Sequence, residues 1–327
     1  GLSIGGGATI GASSGIVTYY GDGSGLTNLA GGFAPDAQQN LYAGTNAGAA
    51  SDADTCCNIG IGYSAGCSLE SGNDNIFLGR NAGAGVTNGE YNIFLGYESG
   101  KDTTTAGRYN ITVGYEAGKT NINGDENIFI GKGAGANAVT SGQNNVFLGT
   151  YAGFNAAGAG GNQYIGGNAG RNSTGAYNVA LGRYALCGNG SANGWHNVAI
   201  GFAAARCITG GGNNVFLGRY AGCAFINGSC NVIIGNNVQP YFLNGDTQLA
   251  IGVGNTTWIA GDGNFNIGIG TEIPTDAVTS SNTKRLSVGI LSAFALFGDG
   301  SGLTNITASG QGVIIKDSGS LIGTAGT

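Results

Sequence analysis

Two carboxylates recur at the same place in consecutive stretches of this chain, Glu98 in GYESGK and Glu116 in GYEAGK. On neighbouring strands of one sheet they would stand about 5 Å apart, the spacing of a retaining glycosidase's acid and nucleophile. Lys101 and Lys119 follow them at the same interval. Duplication of one segment therefore accounts for the pair without any reaction. The single histidine, His196 in NGWHN, has no serine and carboxylate at triad spacing around it. GDGSG and NGDEN supply Asp and Gly, but neither matches the spacing of an EF-hand or of the nonapeptide calcium repeat. GGGATIG does not stand between a strand and a helix, so a phosphate-cradling loop fails on context. The expectation is no catalysis, no metal and no cofactor.

Seven cysteines remain: Cys56, Cys57, Cys67, Cys187, Cys207, Cys223 and Cys230. None forms the paired C-x-x-C spacing of a zinc site. Cys187, Cys207 and Cys223 fall at nearly the same point of three consecutive repeats, which stacks them within bridging reach. Cys223 with Cys230, and Cys57 with Cys67, are alternative pairs. The odd number leaves one thiol free or shared between subunits. Disulfides and reduced thiols both stay open.

The background that must position these groups is unusual. Of 327 residues 68 are Gly, 41% are hydrophobic and only 9% are charged. Such apolar content excludes a disordered linker, and the missing Gly-X-Y period excludes collagen. A net charge of −6 with scattered Lys and Arg argues against nucleic acid as a partner. No apolar run reaches the roughly 18 residues of a membrane span, so no membrane insertion is expected. The chain opens on GLSIGG and holds no Met, so an excerpt of a longer product is expected.

The dominant signal is a repeat. NIFLG occurs at residue 75 and again at residue 92, and its relatives recur with closing glycines from Gly44 to Gly270, spaced 16 to 19 residues apart. The consensus is N-[IV]-[FA]-[LI]-G-x-x-A-G followed by a polar loop. A period near 17 is too short for two packed helices, and the pentad alternates as a strand does. The reading is an all-β parallel β-roll or β-helix solenoid of about 14 coils, residues 40–270, flanked by β connectors at 1–39 and 271–327. Successive strands pair in parallel about 4.8 Å apart.

Three columns follow from the register. Asn58, Asn75, Asn92, Asn110, Asn127, Asn145, Asn162, Asn178, Asn197, Asn214 and Asn231 recur at the start of the coil, and stacked amides predict a structural hydrogen-bonded ladder. If Ile76 and Leu78 point inward, Phe77 points outward, and with it Phe94, Phe129, Phe147, Tyr164 and Phe216. That aromatic strip exceeds what a monomer exposes, so it is assigned to a subunit interface in preference to a sugar-stacking platform. A third column, including Tyr63, Tyr97, Tyr115, Tyr151, Tyr184, Phe202 and Tyr220, sits at the turn. Covering the rod's edge and contacting a glycan both remain open for it.

The coil resembles the head repeats of trimeric autotransporter adhesins, and more closely the N-T-A-I-G-x-x-A-G repeats of bacteriophage tail fibres. The likeness spans residues 40–270. NIGIGTEIP (residue 266 onward) and the phrase GDGSGLTNL, repeated as GDGSGLTNI at residue 298, are similar to segments of tail-fibre proteins of marine cyanophages. The coil is longer than the adhesin coil and carries Phe where small residues are usual. The resemblance implies a left-handed roll, a homotrimer and a virion fibre that extends and presents host-binding surfaces. Its implied partners are itself, other tail proteins and a host-surface glycan, outside the cell. A bacterial surface adhesin or extracellular filament is the alternative, and a glycan-degrading spike a remoter one.

Overall fold

The computed structural model describes residues 35–270 except 104–106, 121–123, 138–141, 157–159, 189–193 and 265, together with strands at 286–288, 314–317 and 320–324. The expected connectors, with both GDGSGLTN phrases, lie almost wholly outside the described residues.

Eleven strands of three residues, from β1 (Leu41–Ala43) to β11 (Val215–Leu217), lead into two of five, β12 (Val232–Asn236) and β13 (Leu249–Val253). Each pairs in parallel with the next in chain order, so the protein is a parallel β-solenoid. Register is kept residue for residue: Ile76 lies opposite Ile93, Phe77 opposite Phe94, and Leu78 opposite Leu95. Twelve steps of about 4.8 Å make the parallel stack roughly 58 Å long.

The fourteenth expected coil, anchored at Gly270, is reached differently. β14 (Thr256–Gly261) runs antiparallel to β13, and β15 (Ile267–Ile269) antiparallel to β14. β16 (Leu286–Val288) then returns parallel to β15, and β17 (Ile314–Asp317) forms a separate antiparallel pair with β18 (Ser320–Thr324). The even anchor spacing conceals this reversal.

Backbone groups outside the strands are satisfied along the same axis. Gly66 N–H donates to the Ala82 carbonyl at 2.9 Å, and Gly83 N–H to that of Ser99 at 2.9 Å. An apolar chain can thus turn sharply without orphaning its amides. Glycine makes the turns possible at two positions of most coils. Gly79 has φ of 134°, and a Cβ there would lie 2.5 Å from the Gly96 carbonyl oxygen. Gly83, four residues on, has φ of 60°, and its missing Cβ leaves room for the Phe77 ring.

That ring is inside the coil, which corrects the expected interface. Phe77, Phe94, Phe129, Phe147, Tyr164 and Phe216 are all at most 2% exposed. The flanking residues of each strand face out instead: Leu78, Ile130, Ile165 and Leu181 are exposed, and Ile76, Ile93, Val146 and Val198 half-buried. The pentad is apolar on both faces, so alternation alone could not say which face is internal. The A-G pair decides it. Small residues such as Ala82 and Gly83 close the coil opposite the strand, and the central strand residue must fill the space they leave.

The filling is complementary along the stack, within a coil or between neighbours. Where the strand centre shrinks to Ala180, the position held elsewhere by Gly83 becomes Leu186, fully buried; where it is Ala199, Ala205 takes that place. Thr112 interrupts the aromatic stack and is met by Ser99, whose hydroxyl lies 2.5 Å from the Thr112 hydroxyl. The rings between these breaks stack directly, Phe129 on Phe147 at 4.8 Å and Phe147 on Tyr164 at 4.9 Å. Aromatic contacts at such separations add about 0.5–1.5 kcal/mol each beyond burial.

Candidate functional site

The asparagine column forms the expected ladder. Asn75 Nδ2 donates to Asn58 Oδ1 at 3.0 Å and to the Gly89 carbonyl at 2.7 Å. Its own Oδ1 accepts from the backbone N–H and the Nδ2 of Asn92, both at 3.0 Å. Asn58, Asn92, Asn110, Asn127, Asn145, Asn162, Asn178, Asn197, Asn214 and Asn231 hold the same place, all at most 4% exposed. Gln248 continues the column, its N–H donating to Asn231 Oδ1 at 2.8 Å. At Asn178, between coils of 16 and 19 residues, only the backbone-to-amide bonds are kept and Nδ2 has no partner. These amides are consumed by each other and by backbone, so the column is internal structure and not a ligand surface.

The two carboxylates do come together, with cations between them. Lys119 Nζ lies 2.7 Å from Glu98 Oε2 and 2.9 Å from Glu116 Oε1, and Lys101 Nζ lies 3.1 Å from Glu98 Oε1. Hydrogen bonds from Lys119 and then Lys101 overcome burial and hold the Glu98 carboxyl down to about 2, while Lys119 is raised by both glutamates. A carboxyl ionised throughout the neutral range has no proton to give a leaving group. This constellation braces two coils against each other.

All seven cysteines are free thiols. Cys57 Sγ contacts Cys56 Sγ at 3.3 Å and not Cys67, which instead donates to the Ala84 carbonyl at 3.4 Å. Cys230 is exposed on the edge ahead of its strand, whereas Cys223 follows its own strand and accepts from Gln239 Nε2 at 3.3 Å. Cys187, Cys207 and Cys223 do stack along one edge, and burial pushes the Cys187 and Cys223 thiols up. Burial keeps the Cys187 and Cys223 thiols protonated and slow to react.

The turn column is a ladder of rings and cations. Arg80 lies 5.7 Å from the Tyr63 ring and 5.8 Å from that of Tyr97, and Lys132 sits 5.6 Å from Tyr115 and 5.9 Å from Tyr151. Tyr97 and Tyr115 stack at 5.0 Å. Arg183 and Arg219 cover Tyr184 and Tyr220, with Phe202 edge-on to both rings. Tyr63, Tyr97, Tyr115 and Phe202 stay exposed beside these cations.

The surface that the periodic reading of the sequence missed is the outer sheet face. Two aliphatic columns run along it, one through Ile59, Ile76 and Ile93, the other through Ile61, Leu78 and Leu95, broken among β1–β13 by Gln163 and by Ala43. About 58 Å by 10 Å gives roughly 600 Å² of apolar strip, at the upper end of the largest patch that a soluble monomer exposes. Comparison of the chain with protein-family models, curated proteins and solved structures finds no match. Among the described residues there is no cluster of His, Cys, Asp or Glu that could hold a metal ion, and no helix long and apolar enough to cross a membrane.

Proposed function

We propose that this chain is a shaft segment of a virion fibre, built as a homotrimer of parallel rods that extends and presents host-binding surfaces. One observation carries the mechanical part: each solenoid is closed and satisfied along its axis but leaves a continuous aliphatic face on one side. Association of copies through that face buries it, and the Ile, Val and Leu columns take the interface role first given to the aromatic column. Stacked coils lengthen a rod without enlarging a globular core, because each coil needs only its neighbours. Placement on a virion rests on the tail-fibre phrases of the sequence. Host-surface glycans are the receptor class such a fibre reaches.

Immunogold electron microscopy with antibodies to residues 40–270 tests the placement. Gold along thin fibres of a tailed particle is the expected result. Gold on uninfected cell surfaces or free filaments would make the chain a cellular adhesin or filament subunit instead.

A further inference from the structure

The charges of this chain are segregated along the rod. Residues 35–126 hold eleven carboxylates and four cations. Between Glu126 and Asp246 there is no Asp or Glu at all, against five cations, Lys132, Arg171, Arg183, Arg206 and Arg219. Scattered in the sequence, the four arginines gather in space. They fall on four consecutive coils, those of Gly166, Gly182, Gly201 and Gly218, at five, one, five and one residues past the anchor. Three steps of about 4.8 Å place them within roughly 14 Å along the axis. All four are exposed.

Rings tie the four to one edge. Arg183 and Arg206 lie 4.8 and 5.5 Å from the same Tyr184 ring, and Arg219 lies 4.5 Å from Tyr220. Phe202 joins those two tyrosines edge-on, at 6.0 and 5.3 Å. Arg171 sits 5.5 Å from Phe154. Burial pushes the Cys187 thiol up against the pull of Arg171 and Arg206, which flank its coil. Among the described residues no carboxylate pairs with any of the four; the ion pairs involve only Glu98, Lys101, Glu116 and Lys119. Stacking on a ring occupies the face of a guanidinium and leaves its N–H edge for an oxyanion. Of those edges, Arg171 gives one bond to Asn168 at 3.3 Å and Arg183 one to the Tyr184 hydroxyl at 3.2 Å.

We infer that this edge binds an acidic polysaccharide laid along the rod, its carboxylate or sulfate groups meeting the guanidinium groups of the four coils. The ligand is a chain because the cations are spread one to a coil and do not converge on a point, as a site for a single phosphate would require. It is anionic because nothing on the edge neutralises them, and the rings that hold them reduce the ordering entropy lost on binding. It is a saccharide and not a nucleic acid because Tyr184 and Tyr220 are half-buried and Phe202 is edge-on to both, which leaves no platform on which bases could stack. This rests on the glycan reading proposed above and adds the sign of the charge and the place on the rod. The acidic first half repels such a chain, so binding is confined to the coils from Gly166 to Gly218.

Fluorescence anisotropy of labelled oligoalginate, which is carboxylated, and of labelled dextran sulfate tests this on the full chain, with uncharged dextran as the control. Wild type should bind at least one charged probe and not dextran. Arg183→Gln/Arg206→Gln should weaken that binding about tenfold at low salt and halve the slope of log K against log salt. Arg171→Gln/Arg219→Gln should do the same from the other two coils, and because all four side chains are exposed both variants should melt as wild type does. Arg108→Gln, exposed in the acidic half, should leave binding unchanged. Wild type that binds neither charged probe, or binding that survives both double variants, overturns the inference. Tighter binding of polyglutamate or oligothymidylate than of either glycan overturns the saccharide assignment. A failed binding assay overturns this inference and leaves the fibre standing, whereas gold on uninfected cells overturns the fibre and leaves the binding.

Discussion

Replacing Asn92 by Asp changes one atom of the ladder and almost no volume. Asn92 Nδ2 donates to Asn75 Oδ1 at 3.0 Å and to the Gly107 carbonyl at 2.8 Å; an aspartate oxygen in its place can do neither and faces two acceptors. The other oxygen still accepts from the Asn110 N–H and Nδ2 at 3.0 and 3.1 Å. Two lost bonds at about 1 kcal/mol each, with a buried charge facing carbonyl oxygens, put the cost at about 3–5 kcal/mol at pH 7.5. The pH signature is sharper than the magnitude. Burial and the two acceptors raise the folded-state pKa of the new carboxyl above its unfolded value of about 3.9, so the deficit is full above the raised pKa and shrinks as pH falls toward the unfolded one. Denaturant melts of wild type and variant at pH 4.5 and 7.5 read both quantities. A deficit under about 1 kcal/mol, or one equal at the two pH values, refutes the ladder as drawn.

Phe94→Ala should cost about 3–5 kcal/mol because the ring fills its coil, whereas Leu95→Ala on the outer face should cost an isolated rod under about 1 kcal/mol; equal losses in thermal melts at concentrations too low for assembly would reverse the inside and outside of the strand. Ala180→Phe should destabilise through collision with Leu186, and Ala180→Phe/Leu186→Gly should recover most of the loss, as volume-conserving exchanges do. Failure of the double variant to recover, by calorimetry, would disprove the complementary filling. Glu98 has a folded pKa lowered to about 2, so its contribution is present above its usual 4.5 and lost as pH falls toward 2. Wild type should lose more stability than Glu98→Gln over that window in acid titration, and parallel curves would contradict the ion cluster.

The solenoid and its ladder were legible because their signal is spacing: a strand, an asparagine and a glycine every 17 residues or so leave few other ways to fold. The inside and outside of the strand were not, because Ile76, Phe77 and Leu78 are all apolar and a period of two carries no phase without a polar face. The small A-G pair held the missing phase, and its exchange for Ala185 and Leu186 beside Ala180 is the clue that a volume count along the coil exposes. The antiparallel strand β14 was hidden because Gly252 and Gly270 keep the ordinary interval while the chain between them reverses. The ion cluster was read only as a duplicated segment. The bond from Lys119 back to Glu98 depends on coil stacking that composition does not reveal.

The proposed fibre stands on burial of the outward aliphatic face between copies. Sedimentation equilibrium of the chain and of Ile93→Lys/Leu95→Lys reads that burial as a mass. The native protein should sediment at three times the chain mass of 32.3 kDa, and the variant as folded single chains. A native protein that sediments at 32.3 kDa across the accessible concentration range would contradict it.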